Sequence, residues 1–261
     1  MQAEYQYIYG SDGQLSKQQV IRNGKVTESY SYEYDSLGRL IRSREEGGSR
    51  IVQRTEHLYD TANRLTRQNW TVGERNFRES YSYNAEDGTM ASMSLQYDCG
   101  VSSWGYATDK LTYGYDALKR LTKVTDTENG ALFYTRNYTY QTLNGDQVSN
   151  RLAQYDYRNP GGSILYGNRY VYDKNGNITQ ISEVYTVNGK DQTRVLAKYE
   201  YDWGDQLLKE TRYSYSGTSA TASETTEVTY ASDMAGNLRE VTTKVNGTQT
   251  DKITYTYGDG A

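Results

Sequence analysis

Proline, histidine and cysteine each occur once in this sequence of 261 residues, and phenylalanine only twice. One histidine (His57) and one cysteine (Cys99) cannot assemble a Cys/His zinc site within a single chain, and a disulfide framework is excluded. A Ser-His-Asp or Cys-His arrangement has only His57 to draw on. Hydrophobic residues make up 35%, below the roughly 45–50% apolar share of ordinary globular domains, which argues against a thick two-sided core. No apolar run approaches the roughly 20 residues that a membrane-spanning helix needs. The net charge of −4 offers no basic footprint for nucleic acid. The opening Met1-Gln2-Ala3-Glu4-Tyr5 lacks the basic and apolar regions of a signal peptide. The expectation is either a cytoplasmic protein or a segment of a longer one.

What is abundant is tyrosine: 29 residues, against three tryptophans and two phenylalanines. With its threonines, valines and isoleucines, this composition is unlike that of a disordered chain. The tyrosines recur in a pattern. Tyr32-Glu33-Tyr34-Asp35-Ser36-Leu37-Gly38-Arg39-Leu40 is the clearest copy of a Tyr-x-Tyr-Asp motif followed by a turn and a leucine. His57-Leu58-Tyr59-Asp60-Thr61-Ala62-Asn63-Arg64-Leu65 and Tyr113-Gly114-Tyr115-Asp116-Ala117-Leu118-Lys119-Arg120-Leu121 repeat it. Tyr170-Val171-Tyr172-Asp173-Lys174-Asn175-Gly176-Asn177-Ile178 and Tyr199-Glu200-Tyr201-Asp202-Trp203-Gly204-Asp205-Gln206-Leu207 follow. Weaker copies start at Tyr7, Tyr81, Tyr138, Val228 and Tyr255. Self-similarity at a period of roughly 25 residues marks a repeat architecture.

Between the motifs lie Asn23-Gly24, Gly47-Gly48, Gly73-Glu74, Asn129-Gly130, Asn159-Pro160-Gly161-Gly162, Asn188-Gly189 and Asn246-Gly247. Asn-Gly between β-forming residues signals a two-residue hairpin, because both central positions of a type I′ turn need positive φ. Each repeat therefore reads as strand, hairpin, strand and Tyr-Asp turn. Typical predicted strands are 39–45 and 50–59, or 177–187 and 191–201. No segment shows helical i, i+3, i+4 apolar spacing.

Side chains of a strand alternate between two faces. Tyr30, Tyr32 and Tyr34 share one face, and Ser29, Ser31 and Glu33 the other. The same alternation holds for Tyr5/Tyr7/Tyr9, Tyr81/Tyr83, Tyr113/Tyr115, Tyr138/Tyr140, Tyr155/Tyr157, Tyr170/Tyr172, Tyr199/Tyr201, Tyr213/Tyr215 and Tyr255/Tyr257. The prediction is a long antiparallel meander with a tyrosine face and a polar face. Cross-strand aromatic pairs, about 0.2–1 kcal/mol each, would hold a thin sheet, with the phenol hydroxyls wet. The aspartate accepts backbone N–H groups two residues on and closes the turn. Gly38, Gly176 or Asn63 then takes the left-handed conformation, and Arg39, Arg64 or Arg120 pairs with the aspartate. Leu40, Leu65, Leu121, Ile178 and Leu207 anchor the returning strand.

Tyr-Asp-x-x-Gly-Arg-Leu in register copies resembles the YD repeat of Rhs proteins, which is shared with Gram-positive wall-associated proteins, shell-forming components of ABC toxins, and teneurins. The resemblance runs from Tyr7 to Tyr257. It implies β-hairpins joined into a spiralling sheet that walls a shell, enclosing a C-terminal toxin in Rhs and toxin-complex members and forming part of an adhesion receptor in teneurins. Self-cleaving family members carry a downstream Pro- and Gly-containing aspartate motif. The one proline here, Pro160, lies in a hairpin turn, so no cleavage role transfers to any residue.

The expectation is an all-β chain, 1–261 a single YD-repeat array of nine to ten repeats cut from a larger protein. Its function would be structural, a shell segment that encloses or presents a linked toxin-like domain, secreted or at the surface of a bacterium. The alternative is an adhesion module that binds glycan or protein through the tyrosine face or loops. Neither catalytic residue, cofactor nor metal is assigned; the partners expected are the rest of the parent chain and an enclosed domain, with edge-to-edge self-association. His57 occupies a ladder tyrosine's place, and Cys99 reads as an inert thiol. Asp173-Lys174-Asn175-Gly176-Asn177 has the alternating oxygens of a calcium loop without its distal glutamate. Trp70, Trp104 and Trp203 do not recur with the period and read as fillers more than sugar platforms. Asn69, Asn137, Asn177 and Asn246 begin glycosylation-type tripeptides. Irregular spacing at 98–109 and 141–150 marks loops where individual binding would lie.

Overall fold

The computed structural model describes residues 3–48, 50–98, 106–143 and 147–257. Cys99 and Trp104 lie outside the described residues, as do 99–105 and 144–146 of the two stretches expected as loops; the rest of those stretches is strand, paired with the neighbouring strands. The chain is all-β: nineteen antiparallel strands and, among the described residues, no helix. It divides into two compact units, residues 1–119 with 124–133 and residues 120–123 with 134–261.

In the first unit β1 (Ala3–Tyr9), β2 (Leu15–Arg22), β3 (Lys25–Tyr34), β4 (Leu40–Gly47), β5 (Arg50–Tyr59), β6 (Leu65–Val72), β7 (Arg75–Tyr83), β8 (Met90–Asp98) and β9 (Tyr106–Tyr115) pair in chain order. Strand β10 (Leu121–Glu128) and the start of β11 (Ala131–Leu143) are divided between the units. The second unit continues through β12 (Gln147–Arg158), β13 (Ile164–Tyr172), β14 (Ile178–Val187), β15 (Lys190–Tyr201), β16 (Leu207–Ser214), β17 (Glu224–Ser232), β18 (Leu238–Val245) and β19 (Thr248–Thr254). From β11 onward each strand again pairs with its chain neighbour.

The turns follow the expected chemistry. At Asn23-Gly24, Asn129-Gly130, Asn188-Gly189 and Asn246-Gly247 both residues have positive φ, 49–51° for the asparagines and 69–82° for the glycines. That is the signature of type I′. At the other edge, Gly38 (φ 79°), Asn63 (63°) and Gly176 (106°) adopt the left-handed conformation. Lys119 and Asp205 take the same place in their copies, each at φ 62°, where a Cβ is unfavourable. A register shift recurs where strand meets aspartate, at Glu33/Tyr34, Leu58/Tyr59, Val171/Tyr172 and Glu200/Tyr201. The extra residue is a β-bulge, which lets a three-residue turn join strands without reversing the faces.

One turn differs from expectation in kind. Asn159-Pro160-Gly161-Gly162 was grouped with the Asn-Gly hairpins, but it reproduces the aspartate turn. Asn159 N–H donates to Ser163 C=O (3.0 Å), Gly162 N–H to Asn159 C=O (2.9 Å), and Asn159 Oδ1 accepts from Ser163 N–H (3.0 Å). The physical reason is that Asn presents the same acceptor oxygen as Asp at the same offset from its own backbone.

The core is thin, as the low apolar content required. Val20, Ala107 and Val124 are buried in the first unit, and Ile164, Val184 and Ala197 in the second. They share the interior with Ser29, Thr55, Asp156, Asn168, Ser182 and Glu210. No large side chain is fully buried among the described residues. The tyrosines are mostly half-covered, lying along the sheet.

Candidate functional site

The residues that recur are brought together at one kind of place, the Tyr-Asp turn and the strand two positions along the meander. In the clearest copy Asp35 N–H donates to Arg39 C=O (2.9 Å) and Gly38 N–H to Asp35 C=O (3.0 Å). The Asp35 carboxylate closes the loop: Oδ1 accepts from Leu37 N–H (2.9 Å) and Arg39 N–H (3.0 Å), and Oδ2 from Arg39 Nε (2.6 Å). Asp60 does the same with Ala62 N–H (2.9 Å), Arg64 N–H (2.9 Å) and Arg64 Nε (2.8 Å). Asp202 and Asp233 receive the corresponding amides of Gly204 and Gln206, and of Ala235 and Asn237. Donors aimed at a carboxylate favour its charged form. The Arg39 amide and guanidinium, with the Leu37 amide, therefore hold Asp35 below the ordinary carboxylate range, and Arg64 and Ala62 act likewise on Asp60. Asp233 is lowered to about 2, chiefly by the Asn237 amide.

Asp173 explains the calcium-like pattern. Its Oδ1 accepts from Gly176 N–H (2.8 Å) and Asn177 N–H (2.9 Å), and its Oδ2 from the Asn177 side chain (3.1 Å). The carboxylate is thus occupied by the turn itself, and the Arg151 guanidinium lies against the carbonyls of Asp173 and Asn175 (3.4 and 3.3 Å).

The second tyrosine of each motif has a function that the sequence pattern did not reveal. Its hydroxyl was expected to be wet; instead it donates to a backbone carbonyl of the preceding repeat. Tyr34 donates to Leu15 C=O (3.0 Å), Tyr59 to Leu40 (2.9 Å), Tyr83 to Leu65 (2.7 Å) and Tyr115 to Met90 (3.0 Å). Tyr140 donates to Leu121 (3.0 Å), Tyr172 to Leu152 (2.8 Å) and Tyr201 to Ile178 (3.0 Å). Apart from Leu152, which lies inside β12, the acceptor is the residue that begins the returning strand. Leu40, Leu65, Leu121 and Ile178 therefore receive the tyrosine through their main-chain carbonyls; Leu207 pairs with Tyr201 across the turn.

The motif arginine completes the link. The guanidinium of Arg39 lies over the Tyr59 ring (4.7 Å to the centroid), Arg64 over Tyr83 (4.3 Å) and Arg120 over Tyr140 (4.2 Å). Arg39 also reaches Asn63 Oδ1 (2.8 Å) in the next turn, and Arg120 donates to Ser149 C=O. In the Asp35 and Asp60 copies the signature is thus a staple, in which aspartate holds arginine, arginine covers the next tyrosine, and that tyrosine returns a hydrogen bond. A net contribution of about 0.5–1.5 kcal/mol for the hydrogen bond and about 0.5–1 kcal/mol for the cation–π contact is repeated along each unit.

Three arginines of this seam escaped the motif alignment; one, Arg239, holds Asp233 (2.9 Å) and lies over Tyr257 (4.9 Å). Arg151 stacks on Tyr172 (5.8 Å), and Arg194 on Tyr215 (4.6 Å), whose hydroxyl donates to Val195 C=O (2.6 Å). The signal that finds these two is the dipeptide of arginine and a branched aliphatic residue, Arg151-Leu152 and Arg194-Val195, freed from fixed spacing.

The first tyrosines of the motif differ from copy to copy. Tyr32 and Tyr113 stay in the ladder, Tyr170 lies near Tyr155 (6.3 Å between centroids), and Tyr199 faces the buried Glu210 across the β15–β16 pair. Burial and that carboxylate push the Tyr199 phenol up. Tyr81, beside Glu79 (2.5 Å), is raised for the same reasons. His57 sits in the ladder opposite Gln68, where burial lowers its pKa by disfavouring the charged ring. Trp70 stacks on Phe77 (5.3 Å, 8° between planes), whereas Trp203 is fully exposed at its turn.

No protein-family model matches the chain, and no curated protein does. Among solved structures it is similar to TcdB2-TccC3 (16% identity, TM-score 0.32) and to TcdB2-TccC3 without its hypervariable C-terminal region (14%, 0.33). Each alignment covers 94% of this chain and 18% of the other, so the chain spans less than a fifth of their length. It is also similar to a porin-like protein from Bacteroides uniformis, at 13% identity and a TM-score of 0.29, over 97% of this chain and 95% of that one.

Proposed function

We propose that the chain is a structural wall segment of YD-repeat type, which encloses or presents a polypeptide linked to it and carries out no chemistry of its own. The observation that supports this reading is the seam. Aspartate, arginine and the second tyrosine, the side chains best suited to binding or catalysis, are engaged with the neighbouring repeat. A site that evolves for chemistry leaves such groups convergent on open space; here they converge on one another. On this reading the protein is secreted or displayed at a bacterial surface, as part of a larger chain. The reading frame around the chain tests it: further repeats followed by an unrelated C-terminal domain are expected, and a free-standing frame of this length would refute the proposal.

A second reading is favoured by the turn tips. Leu37 (68% exposed), Leu118 (59%), Trp203 (96%) and Met234 (108%) place apolar side chains directly in water. Exposed apolar groups at loop tips suit adhesion to a protein or a glycan. Glycan-array binding that disappears in Trp203→Ala would favour adhesion, and a blank array would favour the wall.

A further inference from the structure

The second unit contains a dense tyrosine cluster that the seam does not require. Tyr155 and Tyr157 on β12 meet Tyr166 and Tyr170 on β13, with Tyr134 of β11 beside them. Ring centroids are 5.8 Å apart for Tyr155–Tyr166, 6.1 Å for Tyr134–Tyr157, 6.2 Å for Tyr155–Tyr157 and 6.5 Å for Tyr157–Tyr166. Beneath them lies Asn168, directly opposite Tyr155 and only 9% exposed. Its amide nitrogen donates to the hydroxyls of both Tyr155 (3.2 Å) and Tyr166 (3.3 Å). Two phenol oxygens are therefore held on one nitrogen, with the two rings 5.8 Å apart between centroids and tilted by 59°. Tyr166 is 48% exposed, so an oxidant reaches it from water. Tyr155 is half-buried; burial and its hydrogen bond with Tyr166 push its phenol up, and it keeps its proton until it is oxidised.

We propose that Tyr155 and Tyr166 form a site of oxidative cross-linking, at which the two rings join by a carbon–carbon bond between their ortho positions. The oxidant is of the haem-peroxidase class acting with hydrogen peroxide. It removes one electron and one proton from each phenol, and the peroxide is reduced to two molecules of water. The two phenoxyl radicals combine at adjacent ortho carbons, and each coupled ring recovers its aromaticity as the hydrogen on that carbon moves to the oxygen. The product is a dityrosine that ties β12 to β13 across the Asn159–Ser163 turn. A sheet held between its strands by hydrogen bonds and side-chain contacts gains a covalent link that unfolding cannot break. The two rings are already neighbours on paired strands.

The full chain, dilute enough to suppress coupling between molecules, is treated with a haem peroxidase and hydrogen peroxide, digested with trypsin and analysed by tandem mass spectrometry. Cleavage after Arg151, Arg158 and Arg169 separates the peptides of Tyr155 and Tyr166, so the link appears as 152–158 joined to 159–169, lighter by two hydrogens. It is expected in the native chain and in Tyr157→Phe, and lost in Tyr155→Phe and in Tyr166→Phe, substitutions that keep the rings and the fold. Urea should reduce its yield by scattering the pair. The proposal is overturned if the native chain gives no linked peptide, if the link survives Tyr155→Phe, or if the urea-unfolded chain gives it in equal yield.

Discussion

Replacing Tyr59 with Phe removes one oxygen and leaves the rest of a staple intact. The ring remains under the Arg39 guanidinium at 4.7 Å, while the hydrogen bond to Leu40 C=O at 2.9 Å is lost. A typical intramolecular hydrogen bond is worth about 0.5–1.5 kcal/mol net, and a buried carbonyl left without a donor costs about 1–3 kcal/mol. Both residues are half-buried, so water partly replaces the phenol. The expected loss is therefore about 1–1.5 kcal/mol by the same scale. Repeat proteins open locally, each unit held by its neighbours. Hydrogen exchange of the β4 and β5 amides should consequently report the loss more faithfully than global melting. At about 2–4 °C per kcal/mol for a chain of this size, the melting temperature should still fall by about 2–6 °C. Tyr7→Phe is the control: that tyrosine is 51% exposed on β1, and a change within about 0.5 kcal/mol is expected at such a surface position. If Tyr59→Phe behaves like Tyr7→Phe in both measurements, the staple contributes nothing and the seam is incidental.

Three further outcomes follow from the turns. Lys119→Gly and Asp205→Gly relieve a left-handed residue costing about 1–2 kcal/mol against a glycine entropy cost of about 0.5–1 kcal/mol; calorimetry should show each variant unchanged or up to about 1 kcal/mol more stable, and clear destabilisation would contradict the turn geometry. Gly176→Ala should destabilise more than Gly24→Ala in chemical denaturation, because both have positive φ but only at Gly176 would the new methyl strike the Arg151 guanidinium; equal losses would show that conformation alone matters. The pH dependence has a defined sign. Asp35, Asp60 and Asp233 have folded values below the unfolded one, about 3.9. Their stabilisation is thus complete above that value and lost as pH falls through the folded values, toward about 2 for Asp233. Thermal melts should decline over that window, less steeply in Asp35→Asn, and a flat profile would refute the carboxylate's part in the turn.

Much of the architecture was legible because its causes are local. Asn23-Gly24 announces its turn through the φ values of two adjacent residues, and Tyr30, Tyr32 and Tyr34 share a face because pleating alternates side chains wherever the strand pairs. Asp35 closes a loop with amides two and four residues away. The misreadings have local causes as well. Asn159 was grouped with the hairpins because Pro160-Gly161-Gly162 resembles a loop, although the Asn159 oxygen does an aspartate's work. Arg151 and Arg194 were missed because insertions moved them out of fixed register.

By itself, then, the sequence determined the all-β class, the repeated antiparallel hairpins and most of their turns. Only the tertiary structure decided what the signature is for. The acceptor of Tyr59 lies 19 residues back, at the first residue of the neighbouring strand β4, Leu40. The clamp of Asn168 on Tyr155 and Tyr166 likewise depends on the register of β12 against β13. Such partners are set by how strands align across the sheet, and alignment is fixed by burial and bulges acting over the whole hairpin, which no single stretch of chain contains.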